Sequence, residues 1–166
     1  WTLPSELLKK TRIIWLNSPH NPSGVSMSAQ DLARTVEICR EYDIVCISDE
    51  TYADIYTEIP PASLLEGNLK NILVIHSLSK RSGMTGYRSG FVAGDPTIIQ
   101  RLVEFRANPG LVPQTFVNAA AAMAWSNDEH VAKRREIFAE KKRLFLEFFD
   151  SQGWDVLGRD ATLYLW

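Results

Sequence analysis

Four short apolar runs, each bounded by polar or turn-forming residues, constrain this chain more than any other feature. Residues 12–17 (RIIWLN) run into Ser18-Pro19-His20-Asn21-Pro22-Ser23-Gly24, residues 44–48 (IVCIS) end at Asp49-Glu50, residues 72–76 (ILVIH) end at Ser77, and residues 90–93 (GFVA) form the fourth. Runs of this length, rich in β-branched side chains and followed by turn chemistry, predict buried strands. Between the first two, Ser28 is placed to cap a helix running to about residue 42. Asp31 stands where a capping box prefers Glu or Gln, Leu32, Val36 and Cys39 form the buried stripe, and Asp43 ends the helix. Buried strands alternating with an amphipathic helix predict an α/β fold, a three-layer α/β/α sandwich around a mostly parallel sheet. Pro60-Pro61 excludes regular structure locally and predicts a long surface excursion between the second and third strands.

After Pro96 the pattern becomes helical, over residues 97–106, 114–126 and 128 to about 151. Asn127 is the expected N-cap of the long third helix, and Gly153 lies just past its end. Along it, Val131, Phe138 and Phe145 recur at sevenfold spacing, flanked by Ile137, Leu144, Phe148 and Phe149, which predicts a packed apolar stripe. Residues 161–166 (ATLYLW) read as the opening of a further strand. Because the chain starts at Trp1 without Met and stops within that run, it is expected to be a piece of a longer protein.

At 166 residues the chain can build one domain with a core. Its 18 basic and 20 acidic residues, net −2, are interspersed, which argues against nucleic acid and anionic membranes as partners. Cys39 and Cys46 lack the companions of a zinc site or a disulfide framework and read as small buried residues. His20, His76 and His130 have no metal-ligand spacing, so no metal is expected. No apolar run reaches the roughly 20 residues a spanning helix requires, and a cytoplasmic location is expected.

Ligands in such sheets collect beyond the carboxyl ends of the strands. Asn21, Asp49 and Lys80 stand just past three predicted strand ends. Alone, an Asp there is commonly a cap or turn former and a Lys a solvated charge; together they make those readings less economical. Ser77-Leu78-Ser79-Lys80, followed by Arg88, adds a primary amine, two hydroxyls and a guanidinium in one loop. Those are the groups needed to hold an aldehyde cofactor that carries a phosphate. Gly83, Gly86 and Gly90 suit a loop that brings backbone close to a ligand, but such glycines are equally ordinary in loops and are assigned no binding role.

Four motifs in order, Asn21-Pro22-Ser23-Gly24, Asp49-Glu50-Thr51-Tyr52, Ser77-Leu78-Ser79-Lys80 and Thr85-Gly86-Tyr87-Arg88-Ser89-Gly90, resemble the class I/II aminotransferases among the fold type I pyridoxal phosphate enzymes. The resemblance runs from about residue 12 to 166. It implies pyridoxal 5'-phosphate as cofactor, with Lys80 forming the internal aldimine and then moving protons beside the substrate Cα. Asp49 would keep the pyridine nitrogen protonated, Asn21 and Tyr52 would hydrogen-bond the phenolic oxygen, and Ser77 and Arg88 would bind the phosphate, with Ser79 either adding a contact or simply shaping the turn. Lys80, Asp49 and Tyr52 are thus the expected catalytic residues.

The resemblance further implies that residues 1–127 are the C-terminal part of the cofactor-binding large domain, 128–151 a connecting helix, and 152–166 the start of a small α+β domain. The family's phosphate loop, its ring stacked on the pyridine and its substrate-carboxylate arginine would then lie outside this span. A chain of this span alone is expected to be inactive. The complete protein is expected to be a homodimer that transfers an amino group from an amino acid to a 2-oxo acid. A carbon-sulfur lyase or a cyclopropane-forming synthase remains an alternative, as does the ligand-sensing domain of a transcription regulator. The Thr85-Gly86-Tyr87-Arg88 loop favours the transferase over the lyases.

Overall fold

The computed structural model describes residues 3–110 and 112–166; Trp1, where the first domain is expected to begin, lies outside the described residues. In chain order the elements are α1 (Ser5–Leu8), β1 (Ile13–Asn17), α2 (Ala29–Glu41), β2 (Val45–Asp49), β3 (Ile72–Ser77), α3 (Leu78–Arg81), β4 (Gly90–Gly94), α4 (Pro96–Ala107), α5 (Thr115–Trp125) and α6 (Glu129–Ser151). Short 3-10 turns occupy Leu64–Glu66 and Thr85–Tyr87. The sheet order is β1-β2-β3-β4, with the first three strands parallel and β4 antiparallel to β3. This is the expected α/β fold with a mostly parallel sheet.

Register sets what the fold can present. Asn17 lies opposite Asp49, Asp49 opposite Ile75, and Ser77 opposite Gly90. The carboxyl ends of the three parallel strands therefore align along one edge, each ending in a polar residue. Beneath that edge lies a core of Leu16, Leu32, Ile38, Cys39, Ile44, Cys46, Ile72 and Val74. Cys39 and Cys46 are buried free thiols, as expected. β1 is covered on one face only: Leu16 is buried, but Ile13 and Trp15 are exposed, so the expectation of a fully buried first strand is corrected.

Local chemistry explains the helix ends. Ser28 Oγ accepts the Asp31 N–H at 3.1 Å, the expected N-cap bond, and the Ser28 hydroxyl donates to Asp31 Oδ2 at 2.6 Å, so Asp31 holds the capping side chain rather than the Ser28 backbone N–H that a capping box would engage. Thr35 and Ile38 join Leu32 and Cys39 on the buried face of α2, while Val36 is only partly buried. The helix ends before Asp43, whose φ of 52° leaves the helical region. Asp95 caps α4, accepting the Thr97 N–H at 2.8 Å and, through its other oxygen, the Asn71 N–H at 2.8 Å. The Asn71 N–H, reinforced by those of Thr97 and Ile98, holds the Asp95 carboxyl below the usual carboxylate range.

Three expectations are corrected in the C-terminal part. Asp128, not Asn127, occupies the N-cap position of α6, although Asn127 Oδ1 still accepts the Glu129 N–H at 2.9 Å. The apolar stripe of α6 is not packed as expected: Val131 is buried, but Ile137, Leu144, Phe145 and Phe148 are exposed. No strand forms over residues 161–166. Ala161 makes one antiparallel bridge to Tyr56, Thr162 turns the chain with φ 64°, and Leu157 and Trp166 exchange two backbone hydrogen bonds. Among the described residues no helix is long and apolar enough to cross a membrane, and no cluster of metal-ligating side chains occurs.

Candidate active site

Asp49 ends β2 at the functional edge of the sheet. Its Oδ1 accepts the backbone N–H and the hydroxyl of Thr51, at 3.0 and 2.6 Å, which fixes the carboxylate's orientation. Oδ2 has no hydrogen-bond partner among the described residues. Three residues on, Tyr52 is buried, with its hydroxyl 3.1 Å from that of Tyr164 and the two rings edge to face. Burial above all, with the Asp49 charge adding to it, pushes the Tyr52 hydroxyl well above the ordinary tyrosine range. Tyr52 is therefore a neutral donor at physiological pH. The influence of Asp49 marks the two side chains as electrostatic neighbours.

β3 delivers Ser77, and α3 begins immediately after it. Ser77 Oγ accepts the Ser79 N–H at 3.1 Å, the local contact that turns strand into helix. One turn later Lys80 places Nζ 5.8 Å from the Tyr52 ring centroid, within the range of a cation–π contact. Nζ makes no hydrogen bond or ion pair among the described residues. The amine is thus held beside an aromatic face while its lone pair or protons stay available.

Ser77, Ser79, Arg88, Ser89 and Gly90 line one cavity of about 260 Å³, with His76 and Arg106 also on its wall. Arg88 reaches it from a left-handed backbone conformation (φ 50°, ψ 44°), which a non-glycine residue adopts at some cost, and it donates to the Thr85 carbonyl at 3.1 Å. Two hydroxyls and a guanidinium around a cavity of this size suit an anion bearing several oxygens. At Gly90 a Cβ would collide with the His76 carbonyl oxygen across the β3–β4 pair, so the close approach there is between strands.

Asn21 stands apart. It lies in the 18–24 loop, where the Ser18-Pro19 and Asn21-Pro22 bonds are both cis. Its backbone N–H donates to Asn17 Oδ1 at 2.9 Å, and its exposed side chain makes no hydrogen bond to Asp49, Tyr52 or Lys80. The connection to the edge comes through Asn17, whose Nδ2 donates to the carbonyls of Asp49 at 3.1 Å and Pro19 at 3.3 Å. The structure thus brings Asp49, Tyr52 and Lys80 together, gathers Ser77, Ser79 and Arg88 around a cavity, and leaves Asn21 on a loop linked to Asp49 through the Asn17 side chain.

Sequence reasoning missed the residues that hold this edge in place. Arg81, next to Lys80, is buried and bonds Asp54, the Ala124 carbonyl and Asp128. Glu50, next to Asp49, is buried and accepts from Ser63 Oγ at 2.6 Å and the Leu64 N–H at 3.0 Å, with His76 Nε2 at 3.7 Å. Tyr164 supplies the partner of Tyr52. For Arg81 and Glu50 the available signal was a charge directly beside a motif residue; for Tyr164, 112 positions from its partner, there was none.

Residues 3–166 match the aminotransferase class I and II family. The 4-dedimethylamino-4-oxo-anhydrotetracycline transaminase OxyQ of Streptomyces rimosus is 35% identical over 160 residues, covering 93% of this chain and 45% of that protein. The LL-diaminopimelate aminotransferase of Aquifex aeolicus is 31% identical over 99% of this chain and 44% of its own length. Among solved structures, an aminotransferase from Neisseria meningitidis superposes with a TM-score of 0.90 at 30% identity, over 99% of this chain and 44% of that one. The chain belongs to the class I and II aminotransferases. It spans less than half the length of these relatives.

Proposed function

We propose that the complete protein is an amino-acid aminotransferase that holds pyridoxal 5'-phosphate at Lys80 and transfers an amino group from an amino acid to a 2-oxo acid. The observation that carries this is the position of Lys80: a primary amine, unpaired among the described residues, beside the buried ring of Tyr52, which also feels the Asp49 charge, and next in the chain to Ser79, which lines a cavity with Ser77 and Arg88. The donor set fits the cofactor. An amine without an acceptor, a carboxylate with one uncommitted oxygen, and a guanidinium with two hydroxyls are complementary to an aldehyde, a ring nitrogen and a phosphate. When bound, the cofactor supplies a carbonyl carbon for amines and a ring that accepts electrons from the substrate carbon.

Each residue then has a defined task. Lys80 Nζ would hold the cofactor and, as a primary amine beside the reacting carbon, would carry a proton between neighbouring atoms. Asp49, oriented by Thr51, keeps a proton on the ring nitrogen through Oδ2. Tyr52 donates its hydroxyl hydrogen to the phenolic oxygen, and Asn21 adds a second donor there when its side chain turns inward from the loop. Arg88 and Ser77 neutralise and orient the phosphate, with Ser79 alongside. Transamination is preferred to a lyase, synthase or sensing role because relatives matched over nearly the whole chain, OxyQ and the Aquifex protein, carry transaminase or aminotransferase names.

The reading includes the division into a large-domain part (1–127), a connecting helix (128–151) and the start of a small domain (152–166), and a cytoplasmic homodimer, all carried over from the family. The test is borohydride reduction of the complete protein loaded with cofactor, followed by peptide mapping and a screen of amino donors, including aspartate, aromatic amino acids and succinylated diaminopimelate. The adduct is expected at Lys80, with amino transfer from at least one donor. An adduct elsewhere, or a Lys80→Ala variant that still transfers amino groups at the normal rate, would overturn the assignment.

A further inference from the structure

We propose that Tyr164 is a positioning residue for the site: it donates its hydroxyl hydrogen to Tyr52 and so commits the Tyr52 proton to the cofactor side. The inference rests on the cofactor reading above and adds a residue to it from the far end of the chain.

The two hydroxyl oxygens are 3.1 Å apart, and either could donate. A tyrosine hydroxyl has one hydrogen. If Tyr52 gives its hydrogen to Tyr164, none remains for a ligand; if Tyr164 donates, Tyr52 keeps its hydrogen for the cavity and becomes a stronger donor, because hydrogen bonds in series polarise one another. The second direction is the one compatible with Tyr52 acting on a ligand beside Lys80.

Tyr164 is held within reach of Tyr52 because its segment is fastened to the turn that follows Tyr52. The Thr162 N–H donates to the Ile55 carbonyl at 2.9 Å, the Thr57 N–H donates to the Asp160 carbonyl at 2.9 Å, and Ala161 pairs with Tyr56. Thr162 is fully buried, and its Oγ1 accepts the Tyr164 N–H at 3.2 Å. From α6, buried Lys142 donates to the carbonyls of Gly158 and Ala161, both at 2.6 Å. Tyr52 and Tyr164 are therefore held by the same set of contacts. The charged groups around them are Asp49 at the end of β2, Lys80 on α3, and Asp160 and Lys142 behind the Tyr164 segment.

A donor to a phenolic oxygen that carries negative charge favours loss of the proton on the lysine-linked nitrogen, so a weaker Tyr52 donor raises the pH at which that proton leaves. The test is an absorbance titration of the complete, cofactor-loaded protein as wild type, Tyr164→Phe, Tyr52→Phe and the double variant, with borohydride mapping of each preparation. Tyr164→Phe is expected to raise the titration midpoint by about half to one pH unit. It should have no further effect in the Tyr52→Phe background, which general loosening of the fold would not reproduce. An unchanged midpoint in Tyr164→Phe with the adduct on Lys80, or equal shifts in both backgrounds, overturns the role of Tyr164 while leaving the cofactor reading intact. An adduct absent from Lys80 in the wild type overturns both.

Discussion

Arg81 Nε lies 3.3 Å from Asp54 Oδ2, and this contact ties the helix that carries Lys80 to the turn that carries Tyr52. The same guanidinium donates to the Ala124 carbonyl at 2.8 Å, pairs with Asp128 at the start of α6, and lies 4.9 Å from the Trp125 ring centroid. One buried side chain thus joins α3, the Tyr52 turn, the end of α5 and the start of α6. Arg81→Ala should lower the stability of the complete protein by about 2–4 kcal/mol, because it strands a partly buried carbonyl and removes packing as well as charge. Arg81→Lys should recover less than half of that, since an ammonium cannot reproduce the planar fork. Urea unfolding gives the answer: a loss below about 0.5 kcal/mol for the alanine variant would remove Arg81 from this role.

Glu50 offers a comparable test on the other side of the edge. Its carboxylate accepts from a hydroxyl and a backbone N–H while 1% exposed, so Glu50→Ala leaves the buried Leu64 N–H without its acceptor. The expected loss is about 2–3 kcal/mol, with Glu50→Gln in between because its amide NH2 faces one of the two donors. Amide exchange at Leu64 should quicken more in the alanine variant than in the glutamine one; equal protection in all three proteins would contradict the contact.

What the sequence made legible follows from the range of the interactions. The strands were readable because burial selects apolar runs, and Asp49, Ser77 and Lys80 because each follows a strand end within a few positions. Ser28 and Asp31 were readable as a cap because the contact spans three residues. The exposed stripe of α6 was misread because periodicity reports an apolar face but not what covers it. Residues 161–166 were misread as a strand because their apolar content reflects contacts with residues 55–57 and α6 rather than a ladder. Tyr164 and Lys142 could not be assigned at all, since their partners are set by how the tail folds back.

Lys142 gives the chain a specific pH dependence. Burial, opposed by the charge of Asp160, lowers its pKa to about 8 in the folded chain, against about 10.5 when exposed. Between these values the unfolded chain binds the extra proton, so stability rises with pH across about pH 8 to 10.5; below pH 8 the full penalty, on the order of 3 kcal/mol, is present. Lys142→Met should flatten this rise. Denaturant midpoints taken at intervals from about pH 7 to about pH 10 for both proteins measure it, and parallel curves would refute the shift.

Gly24 and Gly86 should respond oppositely to alanine. Gly24 has φ +68°, and a Cβ there would run into the Gly158 backbone, where the 18–24 loop crosses the Tyr164 segment. A methyl group at Gly86 would meet nothing beyond its own chain neighbours within 4 Å, and the backbone there is not left-handed. Gly24→Ala is therefore expected to destabilise by at least about 2 kcal/mol, and Gly86→Ala by no more than about 0.5 kcal/mol. Thermal melts of the two variants decide it: similar melting temperatures would mean that the loop crossing is not a fixed contact.

Under the cofactor reading proposed above, Asp49 separates binding from chemistry. Its Oδ1 is committed to Thr51, so what Oδ2 can offer is charge and one strong acceptor. Asp49→Ala removes both, but leaves Lys80, Ser77 and Arg88 to hold the cofactor. Turnover in the complete protein should fall by about 100-fold or more, as expected for loss of a preorganised charge at a reacting centre, while the cofactor content of the purified protein falls far less. Thr51→Val, which removes only the 2.6 Å hydroxyl contact, should lose about tenfold through misorientation of the same carboxylate. If Asp49→Ala instead loses the cofactor and regains turnover when the cofactor is added in excess, Asp49 is a binding residue and the charge argument fails.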